Sequence, residues 1–219
     1  MKRTILKYLI LLSTGYAFLR LLHWPIGFTF FTQLSNLYVA LTVLFQLILP
    51  DNKLLRPVKY TAVVSIFITF LIYLLILAPM MPGGLSAAYR QDHYASLCLH
   101  ILTPALSIAD FFLNDTDYPW KKRHILYAAV PPVVYFVFIL ILGKMGVRWG
   151  TGNMAAPYLF LNYSAPAGWF GWMPETASYT TMGIGVFYAV LAMLLLFLAV
   201  GAVILRIALS LNKTQHFLR

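Results

Sequence analysis

Six long apolar runs, each separated from the next by a short gap of breakers and charges, decide what this chain can fold into. They cover residues 4–24, 27–49, 59–80, 93–114, 123–143 and 178–209. A helix needs about 20 mostly apolar residues to cross a hydrocarbon core roughly 30 Å thick, and each run meets that length. The gaps carry Pro25, Asp51-Asn52-Lys53, Pro82-Gly83-Gly84, Asp115-Thr116-Asp117 and Gly150-Thr151-Gly152. A transmembrane barrel would show short alternating segments instead of continuous runs. The predicted class is therefore all-α: a polytopic membrane protein, a bundle of about six transmembrane helices forming one integral membrane domain over residues 1–219. The last run is expected to pass into an interfacial segment after Arg206.

The charges agree with this frame. Charged residues are only 10% of the 219 positions, against 61% hydrophobic, whereas soluble domains carry roughly 25% charge. The net charge of +10 invites a nucleic-acid reading, but its placement excludes one. Six spans put both termini on one side, and twelve of the sixteen Lys and Arg fall there: Lys2, Arg3, Lys7, Lys53, Arg56, Lys59, Lys121, Lys122, Arg123, Arg206, Lys213 and Arg219. Arg20, Arg90, Lys144 and Arg148 take the other side. The positive-inside rule then makes both termini cytoplasmic. The basic face is a topology signal and a contact surface for anionic lipid in the bilayer. Met1-Lys2-Arg3 and the apolar run after it mimic a signal peptide, but no small-x-small cleavage site follows, so a retained first helix is expected. Trp24, Trp149, Trp169 and Trp172 fall on the outer side, where amphipathic rings anchor at the interface. The outer loop 144–177, rich in Gly, Pro and aromatics, is expected to lie in that interface. Cys98 is the single cysteine and has no disulfide partner in the chain.

Polar groups at bilayer depth are expensive and mark either helix-to-helix ties or a site. On the second span Thr29, Thr32 and Asn36 recur at helical spacing, with Ser35 beside them, and share one face. On the fourth span His93, His100 and Ser107 are seven apart and are expected to share a face. His100 lies about 10 Å below the outer end at 1.5 Å per residue, a depth that Thr32 reaches on its own helix. Pro104 removes a hydrogen bond to residue i−4, which is His100, so the backbone is expected to open at the histidine. Asp110 lies about 15 Å further along and is expected to pair with Lys121, Lys122 or Arg123. Gln46 is read as structural glue. Arg20 and His23 close the first span at the outer face, facing lipid headgroups or a substrate carboxylate. The G-x-S-x-G, P-loop, H-E-x-x-H and CxxC motifs are absent, and no His/Cys/carboxylate group has metal spacing. No metal and no cofactor are expected.

Three elements carry a resemblance. Phe31-Thr32-Gln33-Leu34-Ser35-Asn36-Leu37 opens the second span, His100 precedes Thr103-Pro104 on the fourth, and Pro157-Tyr158-Leu159-Phe160-Leu161-Asn162 lies in the long outer loop. Together they make the chain resemble the androgen-induced and androgen-dependent membrane hydrolases (the FAR-17a/AIG-like superfamily), and more closely their small prokaryotic branch. The resemblance implies an intramembrane threonine hydrolase of fatty acid esters of hydroxy fatty acids, with Thr32 as nucleophile and His100 as general base. Ser35, Asn36 and Asn162 are candidate oxyanion donors, and Ser35 is the fallback nucleophile. Two alternatives stay open: a non-catalytic membrane scaffold or lipid-binding protein, and a small proton-linked transporter.

Overall fold

The computed structural model describes residues 2–150, 152–178 and 182–217. Thr151, Arg219 and the side chains of Lys2, Arg3 and Lys213 lie outside the described residues. Among the described residues six helices are long and apolar enough to cross a membrane, and the chain is a multi-pass, all-α membrane protein. The spans are α1 (Lys2–Leu21), α2 (Phe31–Ile48), α3 (Leu55–Met80), α4 (Gly84–Asn114), α5 (Lys122–Lys144) and α6 (Val186–Phe217). Among the described residues, extended pairing is limited to two isolated bridges, Trp149 with Met154 and Trp172 with Ile184.

Two compact units divide the chain. The first holds residues 1–128 and 200–219, the second residues 129–199. In the first unit the spans pack as a ring: α1 against α2, α2 against α3, α3 against α4, and α4 back against α1. Small residues let backbones come close, as membrane helices require. A side chain at Gly201 of α6 would strike the Tyr60 hydroxyl and the Ala128 methyl. The buried apolar set Ile10, Val39, Val43, Ala62 and Ile66 joins α1, α2 and α3. A second set, Ala17, Leu21, Ala95, Cys98 and Leu99, joins α1 to α4.

Helices α3 and α4 are interrupted in the same way. Each contains a five-residue π-turn, Tyr73–Leu77 in α3 and Cys98–Leu102 in α4. The N–H of Ala78 donates to the Tyr73 carbonyl and that of Thr103 to the Cys98 carbonyl, five residues back in each case. A proline, Pro79 or Pro104, follows immediately. Its ring clashes with the carbonyl four residues earlier and cannot donate to it, and widening the turn relieves both problems. The opening expected at His100 is thus a π-turn.

The fourth span differs from its expected form at the outer end. It begins at Gly84 and not at His93, and non-helical dihedrals at Gln91–Tyr94 break it. Asp92, His93 and Tyr94 have φ of 48°, 54° and 68°, a left-handed conformation costing about 1–2 kcal/mol per residue. The Tyr16 hydroxyl donates to the His93 carbonyl at 2.6 Å and pins the break to α1. Break and π-turn together abolish the shared face expected for His93, His100 and Ser107: His93 is exposed and the other two are buried. Likewise Thr29 lies in a 3-10 turn, Pro25–Thr29, before α2 begins. Helix α5 opens with a 3-10 stretch, Lys122–Ala129, and α6 runs unbroken to Phe217 with no change of helix after Arg206.

In the second unit the outer loop folds against α5. Asn162 organises it, its Oδ1 accepting from the Ala155 N–H at 3.2 Å and the Ser164 hydroxyl at 2.7 Å. Tyr163 stacks on Trp169 with centroids 5.6 Å apart, and Lys144 sits over the Tyr163 ring. Phe170 and Trp172 stay exposed, as rings at a membrane interface do.

Candidate functional site

The first unit brings the start of α2 and the π-turn of α4 together through one side chain. Asn36 is fully buried, and its Nδ2 donates to the Thr32 carbonyl at 2.8 Å and to the Leu99 carbonyl at 3.1 Å. One amide nitrogen thus holds the backbones of Thr32 and of the residue before His100 within hydrogen-bond reach. Ser35 reinforces the Thr32 turn by donating to the same carbonyl at 3.0 Å, and it shares a 3.1 Å bond with Thr69 of α3. The depth match expected from counting residues is therefore built into the packing.

The histidine is held by a chain of bonds that fixes its tautomer. Nδ1 lies 2.9 Å from the Ser96 carbonyl, which can only accept, so Nδ1 carries the hydrogen. Nε2 is then the basic nitrogen. The donors run on consistently: the Ser96 hydroxyl pairs with the Tyr73 hydroxyl at 2.7 Å, and Tyr73 donates to the Ala88 carbonyl at 3.1 Å. The Tyr73 ring stacks on the imidazole with centroids 3.5 Å apart and planes 12° from parallel. Tyr73 opens one π-turn and His100 lies in the middle of the other, so the two irregular turns meet at this stack. Among the described residues, neither the Thr32 hydroxyl nor His100 Nε2 has a hydrogen-bond partner.

The other candidates are placed as follows. Both Asn36 amide bonds go to carbonyls, while its Oδ1 is buried without a partner. The Ser35 hydroxyl is likewise engaged. Asn162 belongs to the second unit and its Oδ1 serves the loop. Arg20 and His23 are exposed at the end of α1. Tyr73 was not singled out from the sequence. The usable signal is Pro79, which marks an opened turn at Tyr73–Leu77 as Pro104 marks one at Cys98–Leu102. Among the described residues no group of His, Cys, Asp and Glu could hold a metal ion.

A second polar cluster lies at the other end of α4, and it corrects the expected partner of Asp110. Asp110 is fully buried and meets Lys7 of α1 at 2.8 Å and Lys59 of α3 at 2.9 Å, not Lys121, Lys122 or Arg123. Asn114 donates to its other oxygen at 2.7 Å. Gln46 is the structural tie expected of it: it accepts from Lys7 at 2.8 Å and donates to Asp115 at 3.1 Å. Arg56 closes the cluster on Asp115 at 2.9 Å and on exposed Asp117 at 2.8 Å. Burial pushes the Asp115 carboxyl above its usual range, against the pull of Lys59, Lys7 and Arg56.

No family model, curated protein or solved structure matches the chain.

Proposed function

We propose that the chain is an intramembrane hydrolase of lipid esters, with Thr32 as nucleophile and His100 as general base. The observation that carries this reading is the prepared histidine. Its Nδ1–H is spent on Ser96 and its ring is clamped by Tyr73, which leaves Nε2 as the base, while Asn36 ties the backbone just before it to that of half-buried Thr32, whose hydroxyl is unengaged. A threonine hydroxyl is a weak nucleophile until a base removes its proton. In the reaction Thr32 Oγ1 attacks the ester carbonyl while His100 Nε2 takes the hydroxyl proton. The C–O bond to the alcohol breaks, and Nε2 returns the proton to the departing alkoxide. Water, activated by the same nitrogen, then cleaves the acyl-threonine ester and releases the fatty acid. The two groups close to hydrogen-bond distance when substrate binds, as catalytic pairs commonly do. Exposed Arg20 and His23 suit the anionic end of a fatty acid or a lipid headgroup.

The basic-residue asymmetry supports cytoplasmic termini, which places the Thr32–His100 end toward the outer leaflet. The expected substrate class, fatty acid esters of hydroxy fatty acids, follows from the resemblance of the Thr32 and His100 motifs.

The deciding experiment is hydrolysis of a long-chain branched fatty ester by purified protein in detergent. Thr32→Ala and His100→Ala are compared with wild type at matched thermal stability, and Ser35→Ala serves as the fallback nucleophile. Turnover lost in the first two and kept in the third supports the dyad. Absence of wild-type turnover across several ester classes returns the molecule to the scaffold or lipid-binding reading.

A further inference from the structure

The inward edge of α4 is polar from Ser96 to Asn114. Ser96, His100, Thr103, Ser107, Asp110 and Asn114 follow one another at alternating steps of four and three residues, and all but half-buried Asn114 are buried. An apolar seam is what such spacing normally carries. From Ser96 to Asn114 the seam rises about 27 Å, close to the roughly 30 Å hydrocarbon core.

Most positions have hydroxyl or charged company from the neighbouring spans, and Ser107 bonds within its own helix. At the outer end stand Tyr73 and His100. In the middle Thr103 donates to Ser13 of α1 at 2.9 Å and lies 3.4 Å from the Thr14 hydroxyl. Ser107 donates to the Thr103 carbonyl at 2.6 Å. At the inner end Asp110 faces Lys7 from α1, Gln46 from α2 through Lys7, Lys59 from α3, and Asn114 and Asp115 from its own side. Arg56 and Asp117 continue the cluster to the surface.

A structural ion cluster explains the pairing but leaves two groups unexplained. Lys59 Nζ meets only Asp110, at 2.9 Å, so most of its ammonium donors are unmatched although the residue is 0% exposed. Asp115 Oδ2, also buried, has no hydrogen-bond partner. A spare buried donor and a spare buried acceptor in one cluster are the conditions under which a protein interior takes up water. Stations one helical turn apart are about 5 Å from each other along the axis, a gap that one water bridges.

We propose that this seam is a proton pathway across the membrane, running from the Asp117–Asp115–Asp110 end through Ser107, Thr103 and Ser13 to His100. A proton taken from the inner aqueous side by a carboxylate is passed between hydroxyls and water and received at His100 Nε2. It leaves toward the outer side past the half-buried Thr32 hydroxyl. No redox step is involved, and charge is balanced by the counter-ion flow of the experiment below. The pathway does not depend on ester hydrolysis.

The test is proton flux into liposomes that contain the purified full chain and a trapped pH-sensitive dye. A potassium diffusion potential with valinomycin drives the flux. Wild type is expected to exceed protein-free vesicles, and Thr103→Val, which keeps volume and charge, is expected to fall to the protein-free rate. Asp110→Asn should do the same. Because that variant leaves two buried lysines and can fail to fold, Thr103→Val is the deciding one, with Ser107→Ala beside it. Wild-type flux equal to that of protein-free vesicles overturns the proposal. So does wild-type flux in a monodisperse Thr103→Val protein. Loss of hydrolysis in Thr32→Ala bears only on the esterase reading.

Discussion

Asp110 ties three side chains together. Two lysines share its Oδ2 and Asn114 holds its Oδ1. Removing one partner of a buried pair strands the other charge and costs about 3–5 kcal/mol. Asp110→Leu strands two lysines, so its unfolding free energy in detergent should drop by about that amount. Lys59→Met leaves Asp110 with Lys7 and Asn114 and should lose clearly less, and equal losses would contradict the assignment. Asp115 gives a prediction in pH. Its carboxyl titrates above the usual value of 3.8 in the folded protein because burial outweighs its cations. The stability it contributes is present in acid and is lost as pH rises through the raised value. The melting temperature of Asp115→Asn relative to wild type should therefore increase from about pH 4 upward. A flat difference would show that the carboxyl is not perturbed.

The same residue scale shows what was legible. Thr32 and His100 stand out as candidates because each sits in a short local pattern. Lys59 does not. In sequence it looks like one more inner-face charge, and only the packing of α3 against α4 turns it inward. Lys7 and Asp110 are 103 positions apart, and no local pattern encodes such a pair.

Among the elements, the two π-turns set the geometry of the candidate site. Pro104→Ala restores the missing N–H and removes the ring clash, so the turn is expected to relax to an ordinary helix. One residue fewer per turn rotates His100 by about 100° against Thr103–Asn114. Ester turnover should be lost while thermal stability holds or rises, and a variant of unchanged turnover would show that the π-turn is incidental. Tyr73 separates ring from hydroxyl. Tyr73→Phe keeps the stack and should retain most activity, whereas Tyr73→Leu loses it, with a stacking contribution of about 0.5–1.5 kcal/mol. Matching turnover in the two variants would remove Tyr73 from the site. Helix existence was legible from hydropathy. The opening at His100 was legible from Pro104, but the break at Gln91–Tyr94 was not, because nothing in Asp92-His93-Tyr94 demands three successive left-handed residues. In the second unit, a methyl at Gly143 would lie 2.4 Å from the Ala155 carbonyl oxygen. Gly143→Ala should then cost about 1–3 kcal/mol in unfolding free energy.

At the scale of the molecule, the six spans follow from length and apolarity alone, and the structure has them. The order in which the first four pack could not be read, because every apolar face is acceptable to a neighbour in lipid. The arrangement found is the simplest one, with each span beside its predecessor and the fourth closing on the first. That closure has a consequence for how the protein is made. The first three spans can insert and pair one after another, but Lys7 has no carboxylate until Asp110 has been synthesised. At 5–20 residues per second the wait is on the order of 5–20 s. Throughout it the growing chain holds an uncompensated lysine at the edge of the bilayer. A chain stalled or truncated before the fourth span keeps that defect, which marks it as unfinished to any quality-control system that surveys membrane helices for stray charge.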